Sequence, residues 1–460
     1  MLGKLLQPEI ESLVAARDFA GLRKTFSDWP PADIADTLND LPSEDQIAIF
    51  RVLPKAQAAD VFEYLSPDEQ ESLLRSMGRE TATAILNEMS PDDRTALLEE
   101  LPPEAVKKLV LLLSPDERNV AQKLLNYPEG SVGRLMTPDY VAIKPGWNVG
   151  EVLEYVRRHG RDSESLNVLY VTDAHGKLID DIRIREFLLR PIETPVQEFM
   201  DQNYTSLCVS DPEEKAVEVF RKYDRTILPV TDADGHLVGV VTVDDVLDIA
   251  EAEATEDIQK LGGLEAALDM PYLESPIQQL IRKRGTVLVV LFLGEMLTAT
   301  AMGFFEEEIS KAVVLTLFLP LIISSGGNSG SQASTLIIRA MALGEVTLGD
   351  WWRVARREVM SGLSLGVLLG AVGFLRIGVW ALGFGSYGPH WALIGLTVGV
   401  ALIGVVAWGS LMGAMLPFIL RRVGMDPATS SAPFVATLVD VTGLIIYFLV
   451  AATILRGTLL

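Results

Sequence analysis

The last 180 residues of this 460-residue chain carry five long apolar stretches, near 285–305, 312–343, 359–384, 391–420 and 429–455. A spanning helix needs about 20 such residues, so each stretch predicts a transmembrane helix. Backbone polar groups cannot go unpaired in hydrocarbon, and a run of long apolar segments therefore folds as a helical bundle. Five spans put the two ends of the region on opposite sides. Arg282-Lys283-Arg284 precede the first span, Arg353, Arg356 and Arg357 lie between the second and third, and Arg421-Arg422 lie between the fourth and fifth. The other two loops and the tail offer only Lys311 and Arg456. Positive charge stays on the cytoplasmic side, so the N-terminal half is expected in the cytoplasm and the C-terminus outside. The opening residues show no cationic stretch followed by an apolar core, and no cleaved signal peptide is expected.

One carboxylate stands inside the fifth span. Asp440 lies in the run Ala436-Thr437-Leu438-Val439-Asp440-Val441-Thr442-Gly443, with no Lys or Arg within ten residues. An ionised Asp at mid-bilayer costs about 2.5–3.5 kcal/mol on insertion scales, so it needs a partner, water or a cation. A cation pathway is the simplest reading; hydrogen bonds to the Thr437 and Thr442 hydroxyls are the alternative. The second span contains Leu319-Pro320 and then Ser325-Gly326-Gly327-Asn328. These residues either break the helix and free carbonyls to face a hydrated cation, together with Asn328 and Gln332, or let helices pack closely. The fifth span is preceded by Asp426-Pro427-Ala428-Thr429-Ser430-Ser431-Ala432-Pro433, which puts a second carboxylate at the cytoplasmic mouth. Glu295 and Arg376 are further intramembrane charges and form a candidate ion pair.

The charge balance separates two halves. Residues 281–460 hold 9 acidic and 12 basic side chains, so with a whole-chain charge of −23 the first 280 residues carry −26. Such a half repels nucleic acid and attracts cations, or is simply well solvated. One cysteine, Cys208, and four His without ligand-like spacing argue against zinc, so any metal handled here is expected to be hard and oxygen-liganded.

Within the acidic half, Leu41-Pro42, Leu53-Pro54, Leu65-Ser66-Pro67, Met77-Gly78, Met89-Ser90-Pro91, Leu101-Pro102 and Leu113-Ser114-Pro115 recur every twelve residues. Ser66-Pro67-Asp68-Glu69 and Ser114-Pro115-Asp116-Glu117 supply an N-cap, Pro at the first helical position and an acid at the third. Each unit predicts a helix of about two turns, and two units make a 24-residue pair of an α-solenoid over 1–128. From Met136 the pattern changes to short β-branched runs between helices: Asn167-Val168-Leu169-Tyr170-Val171, Ile227-Leu228-Pro229-Val230 and Val238-Gly239-Val240-Val241-Thr242, punctuated by Asp173-Ala174-His175-Gly176 and Asp232-Ala233-Asp234-Gly235. Two copies of one α/β module are expected, at 129–200 and 201–257. An acidic connecting helix, at 245–280, then leads to the membrane region at 281–460, with Asp245, Asp248, Ala252 and Glu256 along one side.

The two modules resemble tandem CBS domains: Leu135-Met136-Thr137-Pro138 looks like their opening, and Gly239-Val240-Val241-Thr242-Val243-Asp244-Asp245 like their closing strand and turn. That resemblance implies that Thr242 and Asp245 can hold an adenine nucleotide such as ATP in the second module. Taken together, the Leu-Pro repeats, the paired modules, Glu251-Ala252-Glu253-Ala254-Thr255-Glu256-Asp257-Ile258, Gly326-Gly327-Asn328, Gly413-Ala414-Met415-Leu416-Pro417 and the Asp440 run resemble the MgtE-type magnesium channels. The resemblance implies a homodimer in a bacterial plasma membrane with a pore between its membrane regions, lined by Asp440, Gly326, Gly327, Asn328 and Ala436. Mg2+ is then both the transported ion and a regulator. Its cytoplasmic sensing residues would be Asp60, Asp92, Glu214, Asp224, Asp245, Asp248, Glu253, Glu256 and Asp257, with Asp426 at the pore mouth. The pattern departs at Ala432, where a polar Asn is expected before Pro433, and at Glu295, which has no counterpart.

Mg2+ holds octahedral oxygen at about 2.0–2.1 Å and dehydrates reluctantly, so a few carboxylates and carbonyls touching a hydrated ion suit it. Scarce Mg2+ would leave the acidic faces repelling and the pore open; plentiful Mg2+ would bridge them shut. The competing expectations are a nucleotide-gated transporter of another ion and a non-transporting membrane sensor. No nucleophile–base constellation points to an enzyme.

Overall fold

The computed structural model describes every residue except Met1, Asp40, Ala267, 269–271, Glu274, Ser430, Ser431 and Leu460. The chain forms two compact units, residues 1–251 and 252–460.

The first unit opens with ten helices: α1 (Leu2–Ala15), α2 (Phe19–Phe26), α3 (Pro31–Asn39), α4 (Ser43–Val52), α5 (Lys55–Glu63), α6 (Pro67–Ser76), α7 (Arg79–Glu88), α8 (Pro91–Glu100), α9 (Pro103–Val110) and α10 (Pro115–Leu125). Each Leu-Pro or Ser-Pro step ends one helix and starts the next, because Pro cannot continue a helix yet suits its first turn. The Ser66–Glu69 capping box forms, and Ser90 and Ser114 accept the amides of Asp93 and Glu117. Helices too short to stand alone pack against the next but one, α3 on α5, α5 on α7 and α8 on α10, and bury one continuous apolar core. A second period of 24 residues appears in the hydrogen bonds. Gln46, Gln70, Arg94 and Arg118 each donate to the carbonyl eight residues back, on Leu38, Phe62, Leu86 and Val110, at 2.8, 2.8, 3.1 and 3.0 Å. Glu63 and Asn87, again 24 apart, accept the amides of Ser90 and Ser114 at 3.0 and 2.6 Å. These bonds satisfy turn carbonyls and amides that the short helices leave over.

Two three-stranded α/β modules follow. The first holds α11 (Val132–Leu135), β1 (Ala142–Ile143), α12 (Val149–His159), β2 (Val168–Thr172), β3 (Leu178–Arg183) and α13 (Ile184–Leu188). The second holds β4 (Leu207–Cys208), α14 (Glu213–Tyr223), β5 (Ile227–Thr231), β6 (Leu237–Thr242) and the start of α15 (Val243–Leu261). Both sheets pair their first two strands parallel and their last two antiparallel, with a register shift at the same place, Val171/Thr172 and Val230/Thr231. Reciprocal bonds, Leu178 N to Gly235 O and Leu237 N to Gly176 O, join the two hairpins as a two-fold relation between copies requires.

The connecting helix is shorter than 245–280. α15 stops at Leu261, and Gly263 follows at φ +85°, a left-handed conformation suited to glycine at a helix end. The second unit then contains α16 (Ile277–Phe304), α17 (Glu306–Lys311), a 3-10 turn at Val313–Phe318, α18 (Leu319–Ala342), α19 (Trp351–Phe384), α20 (Trp391–Val423) and α21 (Ala432–Ile454). Among the described residues, five helices are long and apolar enough to cross a membrane.

The second span is not broken at Gly326-Gly327. α18 is continuous because Pro320 falls in its first turn, where a missing amide costs nothing. The glycines serve close packing instead. Cβ atoms on Gly409 and Gly413 of α20 would strike the carbonyl oxygens of Gly326 and Gly330, and one on Gly326 would meet Val405 Cγ1 at 2.5 Å. On the other side of α20, Cβ atoms at Gly362, Gly366 and Gly370 of α19 would come within 2.6–2.8 Å of Ala407, Ile403 and Gly399. Helices in lipid gain by such backbone approach, since burial from water drives nothing there. The Glu295–Arg376 pair does not form: the Arg376 guanidinium lies 3.0 Å from the Trp380 ring centre.

Candidate cation sites

In the first unit, acids from three helices and one loop converge. α5 ends on Glu63; α8 begins Pro91-Asp92-Asp93; α15 begins directly after β6 with Val243-Asp244-Asp245. Acids are favoured in a helix's first turn, where its dipole is positive, and that local preference seats two Asp pairs here. Asp92 is 7% exposed, with Ser90 Oγ bonded to Asp93 Oδ2 at 2.6 Å and Thr242 Oγ1 to Asp245 Oδ2 at 2.8 Å. Glu164, held by its amide on Asp139 O at 2.8 Å, completes the group from the loop before β2.

The electrostatics follow from crowding without compensation. Burial, then the Asp93 charge, pushes the Asp92 carboxyl up to about 7, and burial, then Asp92, pushes Asp245 up to about 8. Glu63 is likewise pushed up to about 8 by burial and by Asp93, with Asp60 and Asp92 adding to it. Burial also raises Asp60, Asp93, Glu164 and Asp248. Among the described residues none of these acids has an ion-pair partner. A set of oxygen donors without nitrogen or sulfur, held together against its own repulsion, fits a hard divalent cation.

Four of the expected sensing residues, Asp60, Asp92, Asp245 and Asp248, are therefore brought together. Sequence reasoning missed Glu63, Asp93, Glu164 and Asp244. The repeat held a signal for Glu63: one period on, Asn87 makes the same bond with a neutral amide, so the charge of Glu63 is not needed for that bond. Glu214 and Asp224 lie elsewhere. Glu214 stands beside Glu213, whose carboxyl is raised by burial and then by Glu214 and Glu99. Asp224 ends α14 in a left-handed conformation at φ 48°. Thr242, the other residue expected at the nucleotide, donates its hydroxyl to Asp245 Oδ2. Asp232, Asp234 and His236 also approach one another, yet Asp232 Oδ1 accepts the amides of Asp234 and His236 at 3.0 and 2.8 Å. Asp173 does the same with His175 and Lys177, so both groups are hairpin turns.

In the second unit, Glu253, Glu256 and Asp257 lie on α15. Lys260 Nζ is 2.6 Å from both Glu256 Oε1 and Asp426 Oδ2, and Asp257 is raised by burial and by the Asp426 charge. Ser430 and Ser431, next to Asp426, lie outside the described residues. Farther along α21, Asp440 faces Gly327 of α18: a Cβ on Gly327 would sit 3.5 Å from Asp440 Oδ1 and from Ala436 Cα. Gly326 turns instead to Val405 and Val439, and Asn328 is exposed, donating to Ser324 Oγ at 3.3 Å. Thr437 and Thr442 do not bond Asp440; they donate to the Pro433 and Leu438 carbonyls, and Thr442 accepts Trp408 Nε1 at 2.9 Å. Among the described residues Asp440 has no hydrogen-bond or ion-pair partner.

Comparison with known proteins agrees with this layout. The family described as MgtE, divalent cation transporter, matches residues 319–450; the MgtE intracellular N domain matches 29–130; and CBS domains match 132–191 and 196–252. The chain is 41% identical over 336 residues to a magnesium transporter MgtE of Thermus thermophilus, covering 73% of this chain and 72% of that one. A magnesium transporter MgtE of Enterococcus faecalis is 29% identical over 73% of this chain and 71% of its own length. Among solved structures, the cytosolic domain of an Mg2+ channel MgtE in complex with ATP is 34% identical, with a TM-score of 0.51, covering 53% of this chain and all of that one. The soluble part of a magnesium transporter is 25% identical, with a TM-score of 0.52, over 55% of this chain and 99% of that one.

Proposed function

Because the chain belongs to the MgtE family of magnesium transporters, we propose that it is a Mg2+ channel whose pore runs past Asp440 between the membrane units of two copies. The observation that carries this reading is Asp440 itself: a carboxylate in a spanning helix with no protein partner, against a glycine that leaves room beside it. A passing divalent cation supplies the charge that insertion of such a group demands. Two Asp440 carboxylates on a dimer axis touch a hydrated Mg2+ without stripping its water. The domains at 1–128, 129–200 and 201–257 lie in the cytoplasm, α15 leads from them, and the C-terminus is outside.

Closure is assigned to the acidic cluster. Asp92, Asp245, Glu63 and their neighbours come from the solenoid and from the paired modules, and their repulsion favours separation of those parts. Bound Mg2+ removes the repulsion and releases protons from the raised carboxyls, so plentiful cytoplasmic Mg2+ favours the compact, closed arrangement. Glu253, Glu256, Asp257 and Asp426 extend the sensor to the pore mouth; Glu214 and Asp224 belong to outlying sites. The ATP held by the related cytosolic domain supports a nucleotide at the paired modules here as well.

The test is Mg2+ uptake in a magnesium-starved host. Wild type restores growth and uptake; Asp440→Ala, inserted to the same level, does neither. Uptake unchanged by that substitution would remove Asp440 from the pore.

A further inference from the structure

The ends of α18, α19 and α20 meet at one end of the membrane unit, where Met341, Val346, Val354 and Phe418 pack in one small apolar cluster. Around it stand arginines. Arg356 and Arg357 follow Val354 on the first turns of α19, and Arg421 and Arg422 follow Phe418 by one turn on α20. All four are exposed, and among the described residues none is in an ion pair. The carboxylate acting on them is that of Glu358, beside Arg357. Beside them Trp351 and Trp352, 52% and 64% exposed, pack edge to face at 5.5 Å. The spans end here, so these side chains lie at the level of lipid headgroups, where Trp is favoured.

Topology alone does not account for the choice of residue. Lys holds a loop on its side of the membrane as well as Arg does, yet between residues 312 and 455 every basic residue is Arg. What Arg adds is a planar fork that binds a phosphate through two parallel hydrogen bonds. We propose that this end of the membrane unit is a binding site for the headgroup of anionic phospholipid. Arg356, Arg357, Arg421 and Arg422 offer guanidinium forks to headgroup phosphates, and Trp351 and Trp352 lie against the glycerol and upper acyl chain. The proposal stands whether or not Asp440 conducts.

The test uses the full chain in nanodiscs made with phosphatidylcholine and phosphatidylglycerol, counting co-purified lipid by native mass spectrometry after transfer to detergent. Wild type retains phosphatidylglycerol in excess over its share of the bilayer. Replacing all four Arg by Gln removes the excess, with retention falling about fivefold for each guanidinium removed from contact. Replacing all four by Lys keeps charge and topology, separating the site from membrane insertion, and leaves an intermediate excess. Retention in proportion to bilayer composition, or an excess that survives the Gln set, overturns the proposal. Inorganic phosphate added to lipid-free protein tells the sources apart: protection against heat by phosphatidylglycerol alone supports the lipid, and equal protection by phosphate alone overturns it.

Discussion

Asp92→Asn should make the metal-free protein more stable and blind it to Mg2+. Asp92 is almost fully buried, and its carboxyl is raised from 3.8 to about 7 by burial and the charge of Asp93. A carboxyl whose folded-state pKa lies above its unfolded value costs nothing below the unfolded pKa and most above the folded one. Metal-free stability should therefore fall as pH climbs from about 4 through about 7. Three pKa units at 1.36 kcal/mol each put the ceiling for this residue at about 4 kcal/mol. Asp93 and Asp245 relax when one charge is lost, so the expected gain at pH 8 is about 2–4 kcal/mol, or roughly 5–10 °C in Tm for a unit of this size. The assay is thermal unfolding of the full chain in detergent, with chelator and with saturating Mg2+, at pH 8 and pH 5.5. Wild type should gain strongly from Mg2+ at pH 8 and little at pH 5.5. The variant should start higher at pH 8 and gain less. A variant that melts below wild type without metal would refute the reasoning, since Asp92 would then be a structural acceptor and not a source of strain.

Three further outcomes follow from the packing. Gly413→Val places a side chain on the Gly330 carbonyl, which cannot move aside, so a loss above about 3 kcal/mol is expected and should appear as failure to recover folded protein by size exclusion. Arg94→Met strips the Leu86 and Met89 carbonyls and the Glu117 carboxylate of their donor; about 2–4 kcal/mol should be lost, seen as faster hydrogen exchange over 67–125. Lys260→Ala removes the cation between Glu256 and Asp426; protease protection after Ile258 should then depend more steeply on Mg2+, and an unchanged titration would show that the lysine does not compete with metal.

The elements readable in advance were those with a strong local cause. Pro at all but one of the twelve-residue steps, with Gly78 at the exception, marks where solenoid helices start, and five apolar runs dictate five long helices. Tertiary context decided the rest. Gly326 and Gly327 carry the same residues whether a helix breaks or another backbone lies against it, and only the facing Gly409 and Gly413 on α20 tell the two apart. Arg376 and Glu295 have opposite charges, but Trp380, one turn from Arg376 on its own helix, takes the cation. In the acidic cluster, Asp92 and Asp245 are 153 positions apart, so their proximity is a product of topology that no local pattern encodes.

The contact of α18 with α20 has a consequence for motion. Main-chain atoms of Gly326, Gly330, Gly409 and Gly413 touch directly, so no rotamer can swing aside to let one helix slide past the other. These helices travel as one block, and any conformational cycle has to be borne by less engaged parts. α16 packs mainly against α21, so fluorescent reporters of such a cycle belong there.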